Sequence, residues 1–180
     1  MNSKLKLIIL YGFAASGKTT IATKYISDHP LSMMIEEDLL IDMVGQWRKF
    51  EDKARDLVYK HICSIVKNQL QAGYVVILPC LLTDATRAES FQRIAKEVGC
   101  PLYEIYLEGD KELAITRLLK RGTWGEAGSP PLTDEDRPEI ETLFETMERE
   151  MAKRKNVVPL TVTKGDVDTT YQQFLELTSD

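Results

Sequence analysis

The chain has 180 residues, 43% hydrophobic and 28% charged, with a formal net charge of −5. That size suits one buried core, and the composition excludes a disordered chain. With no Lys/Arg cluster, the acidic balance argues against a nucleic-acid partner, and no apolar run approaches the roughly 20 residues of a membrane span. Cys63, Cys80 and Cys100 show no metal-ligand or Cys-x-x-Cys spacing, which fits a reduced, cytoplasmic protein.

The first element has two readings. MNSKLK, then LIILYGFAA, imitates the basic lead and short apolar run of a secretory signal. The small residues that would end such a signal belong instead to a Gly-rich motif, so 5–11 is read as a buried first strand. Further apolar runs follow at 31–35, 74–78, 102–107 and 157–162. YVVIL, like LKLIILY, is nearly all apolar, as parallel strands covered on both faces are. Helical stretches alternate with them at 21–27, 39–71 (one or two helices), 83–98, 111–121, 134–155 and 167–177. Gly73 and Gly99 fall where helix C-caps are expected, and Asp84, Asp110 and Asp134 sit near helix starts. The pattern predicts an α/β three-layer sandwich with a five-stranded parallel sheet, in a single domain spanning 1–180. The one long interruption, RGTWGEAGSPPLTDEDRP at 121–138, has the Gly hinges and length of a lid. A plain surface connection has the same composition.

GFAASGKTT directly follows the first strand and directly precedes a helical segment. Gly12, Gly17, Lys18 and Thr19 match G-x-x-x-x-G-K-S/T. Gly12 permits a sharp turn, and Gly17 lets backbone approach a phosphate with no Cβ in the way. Successive N–H groups and the helix N-terminus then favour an anion. Gly12, Ala15, Ser16, Gly17, Lys18, Thr19 and Thr20 are thus the expected ATP-binding set. Lys18 would reach the β/γ-phosphates, and the Thr19 hydroxyl would ligate Mg²⁺.

This P-loop, the acidic EED ending the second strand, the lid and the late R-x-x-x-R together resemble the small P-loop kinases, among them adenylate, shikimate and gluconate kinases. EEDLLIDMV and DVDTTYQQF are most similar to the chloramphenicol phosphotransferase-like branch. The resemblance implies ATP- and Mg²⁺-dependent transfer of the γ-phosphate to a hydroxyl of a small molecule, with Asp38 as base. Ligands gather at strand C-termini in such sheets, so a carboxylate there is placed to take a hydroxyl proton. Capping the following helix is the other role open to Asp38. Arg117 and Arg121, at i and i+4, would by resemblance stack on adenine and neutralise transferring charge; a solvated basic helix end reads the same way. Arg137 is a weaker candidate for that task, and Gly165 and Asp166 could contact the adenine.

Two positions depart from the resemblance. Ile41 stands where many relatives hold substrate with an Arg, and Pro79 with Cys80 stands where an acid usually supports the Mg²⁺ water shell. Either Glu36, Glu37 and Asp38 then carry that shell alone, or turnover is weakened. For the acceptor, QWRKFEDKARD offers Arg48 and Arg55 beside Trp47 and Phe50, with Glu37 nearby; an amphipathic helix with solvated charges predicts the same pattern. Met33, Met34 and Met43 read as core packing. A nucleoside or nucleotide kinase, or a nucleotide-binding switch with little transfer, are the remaining alternatives.

Overall fold

LIILYG is apolar throughout because helices cover it from both sides. β1 (Leu7–Gly12) is buried at every position. It is the central strand of a five-stranded parallel sheet, ordered β2 (Met33–Met34), β3 (Val76–Cys80), β1, β4 (Leu102–Glu108) and β5 (Val158–Thr161). The computed structural model describes residues 5–81, 85–125, 127–162 and 166–179. Strand alternation sends Leu7, Ile9 and Tyr11 to one face. There they meet α3 (Glu51–Gln71), α4 (Ala85–Val98), α5 (Lys111–Arg121) and α6 (Arg137–Ala152). Ile8 and Leu10 face α1 (Lys18–Asp28) and α7 (Val167–Leu177) on the other side. This is the α/β three-layer sandwich that the alternating pattern predicts.

The helical stretch expected at 39–71 divides into α2 (Glu37–Ile41), a 3₁₀ turn (Trp47–Phe50) and α3. The break falls where Gln46 adopts φ 55°. Gly73 and Gly99 take left-handed φ after α3 and α4, and Asp110 caps α5 by accepting from Leu113 N at 2.7 Å. Asp134 opens a 3₁₀ turn (Asp134–Asp136) instead of capping it; Thr133 is the cap, with the Asp136 carboxylate accepting from Thr133 N at 2.7 Å. Asp84 lies outside the described residues. The methionines differ from expectation too: Met43 is 78% exposed and Met33 is on the surface. β2 is a two-residue edge strand, too short to bury its own side chains.

Pro79 lies within β3 without breaking the sheet. Ile77 O accepts from Ile35 N, so Pro79, two residues on, faces the same side, past the end of β2. Its missing N–H therefore has no strand to pair with.

Candidate active site

The Gly12–Thr20 loop leaves the sheet at its centre, flanked by β3 and β4, and runs into the first turn of α1. An added Cβ at Gly12 would stand 2.6 Å from Ser16 Oγ and 3.2 Å from Leu107 Cβ, so any side chain there would have to push the Ser16 hydroxyl aside. Gly17 N-caps α1 at φ 100° with no side-chain cap, and no acidic residue sits in the first turn. The positive helix end is thus left for an external anion. Among the described residues, the buried Ser16 Oγ finds no hydrogen-bond partner there. Lys18 Nζ donates to Phe13 O at 2.7 Å, folded over the loop. Burial draws Lys18 down to about 8; Arg121 acts in the same sense, against the opposing pull of Cys80, Asp38 and Glu36. An orphaned hydroxyl, an uncapped helix start and a desolvated lysine all fit a polyphosphate.

Thr19 Oγ1 donates to Glu36 Oε1 at 2.5 Å. Two hard oxygen ligands therefore adjoin the cradle, the donor type that Mg²⁺ takes. Cys80 lines the same cavity from the end of β3. Burial pushes its thiol up to about 12, so it stays neutral and offers no hard-ion ligand. Glu36, at the N-cap of α2, supplies the acid that the end of β3 lacks.

Asp38 lies in the first turn of α2, two residues after its cap position, which Glu36 occupies. Lys18, Thr19, Glu36, Glu37, Asp38 and Arg121 line one cavity of about 780 Å³, together with Ala15, Gly17 and Thr20. The loop at 121–138 borders it through Arg121 and Trp124. Gly122 ends α5 in the left-handed region at φ 73°, and Leu132 N donates to Gly122 O at 2.9 Å, pinching the loop at its root. Arg121 Nε and Nη2 donate to Thr123 O (2.7 Å) and Trp124 O (2.5 Å). Trp124 meets Phe13 edge-on at 6.4 Å. A Cβ at Gly125 would lie only 3.3 Å from Asp38 Oδ2. Beyond it, Ala127 N donates to Asp42 Oδ2 at 2.8 Å, and Arg48 Nη2 to Ser129 Oγ at 3.1 Å.

The i, i+4 arginines part company. Arg121 faces the main cavity, while Arg117 lines a second one of about 310 Å³ with Ser16, Gly109, Asp110 and Val162. Of the other candidates, Arg55 lines the main cavity. Arg48 bonds Ser129 in the 121–138 loop and stacks 4.2 Å over Trp47. Arg137 pairs with Glu112 and Glu141, away from both cavities. Asp166 caps α7, accepting from Thr169 N at 2.8 Å, and Gly165 lies outside the described residues. Sequence reasoning missed the far wall, formed by Tyr59, Ile62, Arg87 and Phe91 from α3 and α4. It also missed a buried group behind the cavity, where Glu104 accepts from Tyr11, Gln92 and Arg154. Helical spacing marks the wall residues as inward-facing, yet nothing in that spacing separates a cavity wall from core.

Solved structures of similar fold include a gluconokinase from Sinorhizobium meliloti 1021, at 18% identity and TM-score 0.64, covering 96% of this chain and 91% of that one. A sugar kinase from Janibacter sp. HTCC2649 matches at 17% identity and TM-score 0.65, with 96% and 93% covered. A chain of the Pnkp1/Rnl/Hen1 RNA repair complex matches at 16% identity and TM-score 0.66 over 87% of this chain; the match spans only 48% of that longer chain. These likenesses show a shared P-loop kinase fold. Comparison with curated proteins gives no match. A family model described as an AAA domain (AAA_33) matches residues 7–134, from β1 into the 121–138 loop. With that model covering more than half of its length, the chain belongs to this family of P-loop NTPases.

Proposed function

We propose that the chain is a single-domain, ATP- and Mg²⁺-dependent phosphotransferase that moves the γ-phosphate of ATP to a hydroxyl of a small molecule. The observation that carries this reading is the meeting of Lys18, Asp38 and Arg121 in one cavity beneath a lid. The cradle and Lys18 hold the phosphates, and the cavity lined by Arg117 takes the adenine. Thr19 and Glu36 would hold Mg²⁺, which supplies charge neutralisation on the phosphate oxygens when bound. Asp38 orients the acceptor hydroxyl and takes its proton as the oxygen–phosphorus bond forms and the bond to ADP breaks. Arg121 meets the charge that develops, and the lid excludes water from the transfer. Three free thiols agree with a reducing, cytoplasmic setting.

The test follows ADP release from Mg·ATP with pooled sugars, aromatic hydroxy compounds, nucleosides and nucleoside monophosphates, with Lys18→Ala as the blank. Asp38→Asn is expected to bind ATP as before and to lose at least 100-fold in acceptor-stimulated release. If no pool stimulates wild-type release, or Asp38→Asn leaves it unchanged, the phosphotransferase reading fails in favour of a nucleotide-binding switch.

A further inference from the structure

Both cations beside the phosphate cradle are held by backbone carbonyls. Lys18 Nζ donates to Phe13 O, and Arg121 donates from Nε to Thr123 O and from Nη2 to Trp124 O. Phe13 and Trp124 meet edge-on at 6.4 Å, so the two segments that hold the cations support one another. Just past Trp124, Gly125 closes on the catalytic side. A Cβ added there would lie 3.3 Å from Asp38 Oδ2, and its φ of 132° strains any side chain. A hydroxyl seated on Oδ2 needs about 2.7 Å, and the carbon that bears it stands further out. On the side of Oδ2 that Gly125 faces, that depth is taken. Thr123 Oγ1 steadies the arrangement, accepting from Gly125 N at 3.2 Å. Beyond the turn, Ala127 is fixed to Asp42 and Ser129 to Arg48, so the short stretch 123–125 is the part left to swing.

We propose that the turn at Thr123–Gly125 is an autoinhibitory plug. Without nucleotide it covers Asp38, and the γ-phosphate of a bound triphosphate withdraws it by drawing Arg121 off the Thr123 and Trp124 carbonyls. This deepens the kinase reading and rests on it, because Asp38 is taken to be the base that the plug covers. A guanidinium–phosphate pair carries charge on both sides and outcompetes a neutral carbonyl. Lys18 and Arg121 stand near enough to repel one another, and an anion between them turns that repulsion into a shared attraction. A diphosphate lacks the group that Arg121 is proposed to meet, so it leaves the plug in place. Asp38 is uncovered only when there is a phosphate to transfer.

The experiment reads the accessibility of position 38 in the full chain, so it does not depend on transfer. In Asp38→Cys, alkylation by iodoacetamide is followed by peptide mass, which separates position 38 from the free thiols of Cys63, Cys80 and Cys100. The ligands are Mg·ADP and the Mg complex of β,γ-imido-ATP, a triphosphate that resists transfer. The rate follows the uncovered fraction, so the triphosphate is expected to speed alkylation roughly fivefold or more over the free protein, and ADP to leave it within about twofold. Adding Arg121→Gln is expected to give the fast rate without nucleotide. A triphosphate rate no faster than that of the free protein, an ADP rate equal to the triphosphate rate, or a slow nucleotide-free rate in the double variant would each overturn the proposal. Should Asp38→Cys not fold, carbodiimide coupling of glycinamide to the native Asp38 carboxylate takes its place, with the same order expected. Faster alkylation with the triphosphate, beside a wild type that no acceptor stimulates, would count against phosphotransfer and leave the plug standing. Equal reactivity in every state, beside an active wild type, would remove the plug and leave phosphotransfer standing.

Discussion

At the scale of single residues, Lys18 is the most informative group. It is held by a backbone carbonyl and drawn down to about 8, chiefly by burial. A polyphosphate restores its charge, so its pKa is higher in the complex than in the free protein. Nucleotide affinity is therefore expected to be level below about pH 8 and to fall up to tenfold per pH unit above it, with proton uptake. Calorimetry from pH 7 to 9.5 in buffers of different ionisation enthalpy reads both; a flat affinity above pH 8 would contradict the burial of Lys18. The same shift has the opposite sign for folding. The unfolded chain holds this proton more tightly, so the ligand-free fold gains stability as pH rises from about 8 towards 10.5. Gly17 gives a second case. At φ 100° any side chain is strained even though an added Cβ meets no atom. Gly17→Ala should cost about 1 kcal/mol of stability and at least tenfold in nucleotide affinity, read by thermal melting and calorimetry. Both residues were legible in the sequence because a phosphate cradle is local: one short stretch contains the turn, the donors and the lysine.

Among the elements, the 121–138 loop shows where that legibility stops. Its Gly- and Pro-rich composition marks a loop, and the structure pinches it at Gly122 and Leu132. Its fastening could not be read, because Asp42 and Arg48 lie some 80 residues before their partners Ala127 and Ser129. Arg48, expected at the acceptor, donates to Ser129 of this loop. The Asp42 carboxylate accepts a charge-assisted hydrogen bond from the loop backbone at the exposed rim. Asp42→Ala should speed proteolytic cleavage within 123–131 several-fold and raise the acceptor KM, while moving Tm by less than about 2 °C. Unchanged cleavage kinetics would mean that the latch carries no part of the closure.

For the whole molecule, alternation of apolar runs with helical stretches was enough to give the sheet, since a parallel strand buried on both faces must be continuously apolar. The exception is Glu104 in LYEIYLE. It sits mid-strand with its side chain 3% exposed and joins β1 through Tyr11, α4 through Gln92, and the turn after α6 through Arg154. Burial first, then the neighbouring Cys80 and Glu104, keeps the Tyr11 hydroxyl protonated far above its ordinary range. Removing one member strands its partner's charge. Glu104→Ala should lower stability by about 3–5 kcal/mol in denaturant unfolding, whereas a Glu104→Leu, Arg154→Met pair should lose much less. Equal losses in both variants would mean that packing, not charge, holds this region. No spacing in the sequence announces the group, because its four members come from four elements.

Arg117 and Arg121 stand one turn apart on the same rigid helix, and each reaches a different cavity. A tilt of α5 that seats one guanidinium carries the other, and with it the root of the lid. Under the proposed roles, the two binding events are thermodynamically linked. The factor by which bound nucleotide favours the closed lid is also the factor by which closure tightens the nucleotide. An acceptor that engages only the closed form then binds better to the nucleotide complex than to the bare protein. Compulsory order, nucleotide first, becomes a property of one helix end.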